Sequence, residues 1–502
     1  MEHNFLYLRR LGIDTYQEPV VYMRTDCDIS RAEGFSSQNR VRVSCGERHI
    51  VATVHMVSSD LLHHDEAGLS EAAWNLLGAT EREMARFSHP SPVESMSFVR
   101  GKLYGNRFSQ AAADAIIADI RDGNYSDIQL AAYVAACADR LLDTSETIAI
   151  TRAMVASGKR FDWGRSPVLD KHCVGGLPGN RTTPIVVAIA TACGLTMPKT
   201  SSRAITSPAG TADTMETLAP VTLSFEQMRH VVESEGGCIA WGGSVSLSPS
   251  DDIVIRVERA LDLDSEGQLV ASVISKKVAA GATHVLIDMP VGPTAKVRHE
   301  NMARRLAAQL VETGTALGMQ VSVLRTDGIQ PVGRGIGPAL EARDVLRVLR
   351  CDPAAPPDLR ERALMLAAAL LELGGAAAAG EGIGRAAATL DSGAAWRKFQ
   401  AICNAQGGMR EPPLARHRHP VVAERSGVLA HINLRSLAKA AKLAGAPADK
   451  AAGIEMHVRL GEDVERGQPL FTMHADTLGE LHYALDFLAI HRETVSIEGP
   501  VL

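Results

Sequence analysis

Short apolar runs alternate with helix-length segments from about residue 166 onward, and this alternation strongly constrains the fold of the chain. The strand-like runs are 167–169, 238–241, 284–287 and 320–324. The helix-like segments are 182–193, 302–317 and 337–348. This order is typical of βαβ units, in which a helix joins consecutive parallel strands. We therefore predict an α/β region with a parallel sheet.

The segments before this region have other periodicities. Residues 41–45 and 50–56 alternate apolar and polar side chains around a Gly-Glu-Arg turn, which predicts a β-hairpin. Between about 90 and 160 the period becomes helical, with Ser109 placed to cap one helix, a second helix over 127–142, and Asp143 and Glu146 forming a capping box for a third.

The composition changes again after residue 413, where short strand-like runs with glycine turns predict a small α+β domain. The fold class expected is α/β plus α, with a β-rich N-terminal domain and an α+β C-terminal domain. The boundaries predicted are 1–85 for the β-rich domain, 86–165 with about 245–280 for the α-helical domain, 166–244 with 281–412 for the α/β domain, and 413–502 for the C-terminal domain.

Composition narrows the class of function. The 502-residue chain has a formal net charge of −6 and 4% aromatic residues, which argues against a nucleic-acid or membrane-surface binder. Its eight cysteines include no C-x-x-C pair, so we expect reduced thiols in a cytoplasmic protein rather than disulfides or a zinc site. We expect neither a signal peptide nor a membrane-spanning segment.

Two polar loops carry the chemistry. The first, after Asp170-Lys171-His172, contains Gly175, Gly176 and Gly179 and enters a helix near Thr182. Backbone N–H groups of such a loop, with the helix N-terminus and a lysine, can bind an anion. The same residues could instead form only a tight βα turn.

The second loop, 199–211, is dense in hydroxyl side chains around Arg203, with Pro208 and Gly210 forcing an irregular backbone. It could bind the same anion, or it could be only a well-capped helix start that Asp213 and Glu216 favour. Taken together, the loops predict an enzyme that acts on a phosphate-bearing substrate.

The two loops resemble motifs of the thymidine and pyrimidine-nucleoside phosphorylases. Asp-Lys-His-x-x-Gly-Gly is similar to the phosphate loop of that family, and the run from Ser201 to Glu216 is similar to its signature. The resemblance extends from about residue 90 to the C-terminus. It is closer still to the AMP phosphorylase branch, which shares an extra N-terminal domain and the sequence Gly-Leu-Pro-Gly-Asn-Arg-Thr-Thr in the first loop.

The resemblance implies a helical domain and an α/β domain that flank a cleft, in a homodimer or larger assembly. It implies a pentosyltransferase that acts on small molecules with inorganic phosphate as co-substrate, without a metal or an organic cofactor. The phosphate ligands that it implies are Lys171, Thr183, Ser201 and Thr211. The substrate-binding residues that it implies are His172, Gly176, Ser202, Arg203, Ala204, Ile205, Thr206, Ser207, Ser272, Lys276 and Lys296.

Two positions depart from the pyrimidine enzymes. A phosphate ligand that is usually serine falls on Cys173, whose thiol is a weaker donor. An arginine that reads the pyrimidine carbonyl falls on Asp251, which can only accept hydrogen bonds when ionised. The exchange favours a base with donors, such as the amino group of adenine or cytosine.

By the same resemblance, Asp264 falls at the position of the acid that donates a proton in AMP phosphorylases. A buried carboxylic acid can protonate a leaving purine, although an aspartate in a polar turn is often only solvated. His172 could contact the base or pack beneath the loop, and Lys296 could bind the nucleotide or lie at the surface.

The expected function is therefore reversible phosphorolysis of a nucleoside 5′-monophosphate such as AMP, or of a nucleoside, with thymidine phosphorolysis as the close alternative. Arg203, Ser207 and Lys296 are the candidates for binding a 5′-phosphate. A phosphoribosyltransferase would need an acidic Mg²⁺ site beside the loop, and a non-catalytic nucleotide sensor would not need Asp264.

Overall fold

The structure of the chain is a computed structural model that describes residues 4–138, 142–175, 177–204, 207–245, 247–261, 263 and 265–499. These residues form two units. One lies within Met1–Cys137 and Ile253–Leu263, and the other lies within Ala138–Asp252 and Asp264–Leu502.

The first unit begins with six strands and two short helices: β1 (Phe5–Arg10), β2 (Val20–Arg24), α1 (Asp28–Glu33), β3 (Arg40–Cys45), β4 (Arg48–Val57), β5 (Glu66–Leu69), α2 (Glu71–Leu77) and β6 (Met84–Ser88). The strands close into a barrel in the order β1-β5-β2-β4-β3-β6, with β1–β5 and β2–β4 parallel. The predicted hairpin is confirmed as β3 and β4, and Val41, Val43 and Cys45 are buried in the core.

Three helices follow in the first unit: α3 (Met96–Leu103), α4 (Gln110–Arg121) and α5 (Asp127–Ala136). Ser109 caps α4 as predicted, because its hydroxyl accepts a hydrogen bond from the backbone of Ala112. The helix predicted over 127–142 ends earlier, at Ala136, where the Cys137 amide bonds back to the carbonyls of Tyr133 and Val134. The sequence has no glycine or proline there, so this end could not be read from it.

The second unit contains alternating helices and strands, and α10 also extends into the residues of the first unit. Its elements up to residue 327 are α6 (Thr144–Ser157), β7 (Leu169–Cys173), α7 (Thr183–Ala192), β8 (Met197–Ser201), α8 (Thr211–Glu216), α9 (Phe225–Glu235), β9 (Gly237–Trp241), α10 (Pro249–Leu261), α11 (Glu266–Ala279), β10 (His284–Val291), α12 (Glu300–Ala316) and β11 (Gln320–Asp327).

The strands of this region are parallel, as the alternation predicts. Strands β11, β10 and β7 form one sheet, β8 pairs with β9, and a parallel bridge between Val168 and Thr196 joins β7 to β8. The prediction of a strand over 167–169 followed by a polar loop was wrong in its boundaries, because β7 runs from Leu169 to Cys173 and includes Lys171. Charged residues occupy this buried strand because each has a partner of opposite charge, as described below.

Helix α7 is buried on all sides, and it begins at the residues expected to bind phosphate. Ile185, Val186 and Ile189 are fully buried in a core that continues into the helices after β11. Those later elements are β12 (Gly335–Ile336), α13 (Pro338–Leu349), α14 (Pro357–Leu373), α15 (Gly382–Asp391) and α16 (Ala394–Ala405).

The C-terminal region has the α+β composition that the sequence predicts. Its elements are β13 (His417–Val422), β14 (Gly427–Ile432), α17 (Leu434–Leu443), β15 (Gly453–Met456), β16 (Asp463–Val464), β17 (Pro469–Ala475), α18 (Leu478–Ile490) and β18 (Val495–Glu498). Strand β12 joins a four-stranded antiparallel sheet in the order β12-β15-β17-β13. This sheet ties the C-terminal region to the segment that precedes α13.

Candidate active site

Lys171 is the buried cation at the centre of the candidate site. Its side chain is inaccessible to solvent, its Nζ donates to Thr182 Oγ1 at 2.8 Å, and it lies 3.4 Å from Asp288 Oδ2. Burial alone would raise the pKa of Asp288, but Lys171, with hydrogen bonds from Thr326 and Asn180, holds that pKa below its ordinary value. A buried ammonium requires such partners, since burying an unpaired charge is costly.

Asp170, the preceding residue of β7, binds two further lysines. Its carboxylate oxygens lie 2.9 Å from Lys199 Nζ and 2.7 Å from Lys277 Nζ, and all three side chains are buried. Burial lowers the pKa of Lys199, and the neighbouring Lys277 lowers it further. The strand therefore carries a charged pair of residues, Asp170 and Lys171, each neutralised by residues distant in sequence.

The glycine loop between β7 and α7 is held in a backbone conformation that only glycine allows. Gly179 has a φ of +74°, and a Cβ placed on it would lie 2.3 Å from the carbonyl oxygen of Val332. Thr183 is buried in the first turn of α7. The hydroxyl of Thr182 accepts a hydrogen bond from Lys171 and does not cap α7. The N-terminus of a helix without such a cap is a favourable position for an anion. Gly176 lies outside the described residues.

The second loop starts at Ser201, the last residue of β8. Ser201 is 7% exposed, and no partner of its Oγ occurs among the described residues. A buried hydroxyl without a partner is unfavourable in the protein alone, and an anion bound between the two loops would give this hydroxyl an acceptor.

Arg181 links the two loops. Its guanidinium donates to Thr211 Oγ1 at 2.7 Å and to the carbonyl oxygen of Ala209 at 2.8 Å. It also forms an ion pair with Glu341 of α13 at 2.7 Å. The four predicted phosphate ligands thus lie on β7, on β8 and in the first turns of α7 and α8. Arg181, which precedes α7, connects the first loop to the second through Thr211 and Ala209.

Arg203 is engaged by carboxylates. It lies 2.7 Å from Glu216 and 3.2 Å from Asp213, and its guanidinium lies over the Trp241 ring. The Ser207 hydroxyl donates to the carbonyl oxygen of Ala209. Ser202 is exposed and Ala204 is half-buried, whereas the predicted Ile205 and Thr206 lie outside the described residues.

The residues predicted to surround the base come together around Asp251. Ser272 Oγ donates to Asp251 Oδ2 at 2.8 Å, and Lys276 Nζ lies 2.6 Å from the same oxygen. Asp251 is buried, and no hydrogen bond to its Oδ1 occurs among the described residues. Burial also raises the pKa of the neighbouring Asp252.

His172 and Cys173 complete the residues on β7. Burial, followed by the charges of Lys277, Lys199, Lys171 and Lys276, lowers the pKa of His172 well below its ordinary value, so the imidazole is neutral near pH 7. Burial raises the pKa of the Cys173 thiol to about 12. The amide of Asn180 donates to its sulfur at 3.2 Å. Cys173 is therefore a neutral thiol.

Lys296 lies beside the glycine loop. A Cβ placed on Gly175 would lie 3.7 Å from the Cβ of Lys296. Asp264 lies outside the described residues.

Sequence reasoning missed several residues that hold the site together. They are Asp170, Arg181, Lys199, Lys277, Asp288 and Glu341. The sequence offered one signal for them, namely a charged residue next to strand-like apolar residues, which indicates a buried charge. It could not identify the partner, which lies up to 160 residues away in the case of Arg181 and Glu341.

Three general properties concern the described residues. All eight cysteines lie among them and are free, which confirms the prediction of free thiols. The described part of the chain contains no group of three or more His, Cys, Asp or Glu side chains arranged to hold a metal ion. None of its helices is both long and apolar enough to cross a membrane.

Comparison with known proteins assigns the family. Residues 96–158 match the helical bundle domain of a glycosyl transferase family, 165–396 match its a/b domain, and 428–490 match the pyrimidine nucleoside phosphorylase C-terminal domain. A protein of Hahella chejuensis (strain KCTC 2396), named "Putative thymidine phosphorylase", is 63% identical over 497 residues, which cover 99% of this chain and 98% of that protein. The chain belongs to the thymidine and pyrimidine-nucleoside phosphorylase family. It is a pentosyltransferase.

A second similar protein and one solved structure were also found. A protein of Polaromonas sp. (strain JS666 / ATCC BAA-500) with the same name is 63% identical over 98% of this chain and 96% of its own length. Anthranilate phosphoribosyltransferase from Thermus thermophilus has a TM-score of 0.52 and 20% identity, and the match covers 61% of this chain and 98% of that one. This second likeness concerns the fold alone.

Replacement of Ser201 by alanine tests the unpartnered hydroxyl. We expect Ser201→Ala to raise the KM for phosphate by about 10- to 100-fold, because a hydrogen bond to a charged ligand is worth roughly 1.5–3 kcal/mol. Stability should be unchanged or slightly higher, since a buried orphan hydroxyl is removed. The measurements are phosphate-dependent kinetics and urea unfolding.

Thr313→Val is the matched control. Thr313 on α12 is also fully buried with a hydroxyl that lacks a partner in the described part of the chain. It should leave the KM for phosphate unchanged, and its stability, as for Ser201→Ala, should be unchanged or slightly higher. A Ser201→Ala enzyme with the phosphate KM of the native protein would contradict the assignment.

The depressed pKa of His172 predicts a pH dependence of stability. The folded state disfavours the imidazolium, whereas the unfolded chain binds a proton near the ordinary value of 6.5. This contribution is fully present above pH 6.5 and decreases below it, by up to about 1.4 kcal/mol per pH unit. Between about pH 7.5 and about pH 5.5, His172→Gln should therefore lose less unfolding free energy than the native protein. Equal losses in urea unfolding would show that His172 is not held neutral.

Proposed function

We propose that the protein catalyses reversible phosphorolysis of an N-glycosidic bond. Inorganic phosphate, bound by Lys171, Thr183, Ser201 and Thr211, attacks C1′ of the ribosyl group. The unpartnered hydroxyl of buried Ser201 is the observation that carries this proposal; Ser201 ends β8, which is bridged to β7, the strand that carries the buried Lys171. The neutral Cys173 thiol and the uncapped start of α7 support the same anion site.

The proposed step exchanges one bond for another. The C1′–O bond to phosphate forms as the C1′–N bond to the base breaks. Asp264, in its protonated form, supplies a proton to the departing base and recovers one from solvent. Positioning and electrostatic stabilisation supply the rate, since the negative phosphate faces the positive charge that develops on the sugar. We propose that no metal or organic cofactor takes part.

For the substrate we propose a nucleoside 5′-monophosphate with an AMP-like base. The support comes from Asp251, a buried acceptor at a position where thymidine phosphorylases are expected to have arginine. Its Oδ2 is occupied by Ser272 and Lys276, and the absence of a described donor to Oδ1 leaves an acceptor for an amino group.

The 5′-phosphate requires a second cation. Arg203, Ser207 and Lys296 are the candidates that we propose for this phosphate. Lys296 lies beside the glycine loop, Arg203 is paired with Glu216 and Asp213, and the Ser207 hydroxyl donates to the carbonyl oxygen of Ala209.

Thymidine phosphorolysis is the second candidate. The names of the relatives and the match to the pyrimidine nucleoside phosphorylase C-terminal domain favour it. In this case the Lys276 ammonium would donate one hydrogen bond to a pyrimidine carbonyl while it keeps its ion pair with Asp251.

We further propose the domain boundaries given by the sequence, with the helical domain over 86–165 and about 245–280, and an assembly of at least two chains. Deletion of 1–85, followed by sizing and assay, would test whether the N-terminal domain serves assembly or specificity.

A phosphate-dependent assay on AMP, CMP, UMP, thymidine and uridine tests the substrate. We expect the highest kcat/KM for AMP, because Asp251 accepts from an exocyclic amino group, and little turnover of thymidine. Turnover of thymidine alone would contradict the nucleotide proposal while leaving phosphorolysis intact. Base release at the same rate without phosphate would contradict phosphorolysis itself.

Replacement of the proposed proton donor separates an enzyme from a nucleotide sensor. Asp264→Asn should lower kcat by about 100-fold or more, since general acid catalysis contributes roughly 10²–10⁴-fold. The far-UV circular dichroism spectrum and the unfolding midpoint should not change. Asp262→Asn, two residues earlier, is the matched control and should retain activity. Full activity of Asp264→Asn would assign proton donation to another group.

A further inference from the structure

Two cations and two carboxylates form a cluster at the second loop, and one of the cations comes from the C-terminal region. Lys450 Nζ lies 2.9 Å from Glu216 and 3.5 Å from Asp213, and Arg203 lies 2.7 Å and 3.2 Å from the same two residues. We call Arg203, Asp213, Glu216 and Lys450 the loop clamp. None of the substrate assignments above uses Lys450, Asp213 or Glu216.

Asp213 connects the clamp to the backbone of the second loop. Its Oδ2 accepts hydrogen bonds from the amides of Ala204 at 2.6 Å and Gly210 at 3.0 Å. Those two amides bracket the segment 204–210, which contains the predicted substrate-binding residues Ile205, Thr206 and Ser207. The orientation of the Asp213 carboxylate therefore sets the spacing between the two ends of this segment.

The position of Lys450 is fixed by close backbone contacts rather than by its own side chain. Its carbonyl oxygen accepts from the amide of Ala339 in the first turn of α13. A Cβ on Gly337 would lie 2.3 Å from the carbonyl oxygen of Ala452, and one on Gly453 would lie 2.0 Å from that of Ile336. These contacts leave no room for the segment 450–453 to shift without moving β12 and α13.

The cluster is formally neutral only when Lys450 is present. Without it, Arg203 alone would face two carboxylates, of which Asp213 is 3% exposed at its side chain. Hydrogen bonds from Arg203 and Lys450 hold the pKa of Glu216 at about 2, so Glu216 is ionised at neutral pH. With Lys450 in place, two cations face two carboxylates, and Asp213 and Glu216 each lie within ion-pair distance of both Arg203 and Lys450.

We propose that Lys450 is a positioning residue of the active site, which acts through Asp213 and Glu216 to hold Ala204 and Gly210, at the two ends of the second loop, at the spacing that substrate binding requires. The inference deepens the proposed phosphorolysis and rests on it for its kinetic effect. The C-terminal region thereby contributes to substrate affinity although Lys450 lies 234 positions after Glu216 in the sequence.

Kinetics of Lys450→Met test the effect on the reaction. We expect KM for the substrate that the native protein turns over best to rise about 3- to 10-fold, consistent with the loss of one part-exposed ion pair in a network, while kcat changes less than about 2-fold. Lys450→Arg should restore the native KM, because it keeps the charge. A native KM in Lys450→Met, or a fall in kcat alone, would overturn the proposal.

Lys439→Met is the matched control. Lys439 is exposed on α17, and the described part of the chain provides no ion-pair or hydrogen-bond partner for its ammonium. The substitution removes the same charge from the same region and should leave KM, kcat and amide exchange unchanged. An equal effect of both substitutions would indicate a general loss of charge and would overturn the specific role of Lys450.

Amide hydrogen exchange in the free protein separates this proposal from the proposed function. The amides of Ala204 and Gly210 should exchange about 10-fold faster in Lys450→Met than in the native protein, while amides of β7 and α7 should not change. Faster exchange in a protein that shows no phosphorolysis would support the clamp and contradict the function. Unchanged exchange in an active enzyme would overturn the clamp and leave the function intact.

Discussion

The burial of Lys171 against Asp288 and Thr182 is the interaction on which the candidate site depends. It places an ammonium inside a parallel sheet, where an unpaired charge would cost several kcal/mol. Asp170 likewise forms buried ion pairs with Lys199 and Lys277. Counting these five side chains with every lysine protonated, three cations face two carboxylates and the cluster has one excess positive charge. Burial lowers the pKa of Lys199 to about 7, so Lys199 is the lysine whose protonation a neighbouring anion would favour. An anion bound at the ends of β7 and β8 would balance that excess, and this is the electrostatic argument for the phosphate site that we propose there.

The loops depend on these buried charges in turn. Thr182 accepts from Lys171 and fixes the start of α7, and Arg181 beside it holds both Thr211 and Glu341. Glu341 also accepts from Thr214 of α8. Helix α13 therefore contacts α8 and the first loop through Glu341, while Lys450 of the loop clamp contacts Asp213 and Glu216 of α8. The site is a set of short polar segments that longer, fully buried helices hold in place.

The sequence predicted the parts of this structure that have local signals. Period-2 alternation located β3 and β4, Ser109 located the start of α4, and the two loop motifs located the residues expected to bind phosphate. The boundaries of β7 were wrong because Asp170 and Lys171 read as loop residues. Their inclusion in a buried strand depends on Lys199, Lys277 and Asp288, which no local pattern connects to them.

The same limit applies to the chemistry of individual residues. An isolated Asp251 reads as an open acceptor, but the fold places Ser272 and Lys276 on one of its oxygens. An isolated Arg203 reads as a phosphate ligand, but the fold places it between two carboxylates. In both cases the partners of the residue could be identified only from the tertiary structure.

If a buried lysine and the two polar loops form a site for inorganic phosphate, loss of that lysine should abolish phosphate binding. Calorimetric titration of inorganic phosphate into the native protein and into Lys171→Met measures this directly. We expect one phosphate per chain for the native protein and a loss of measurable binding in the variant, at unchanged helix content. Equal affinity in both proteins would contradict it.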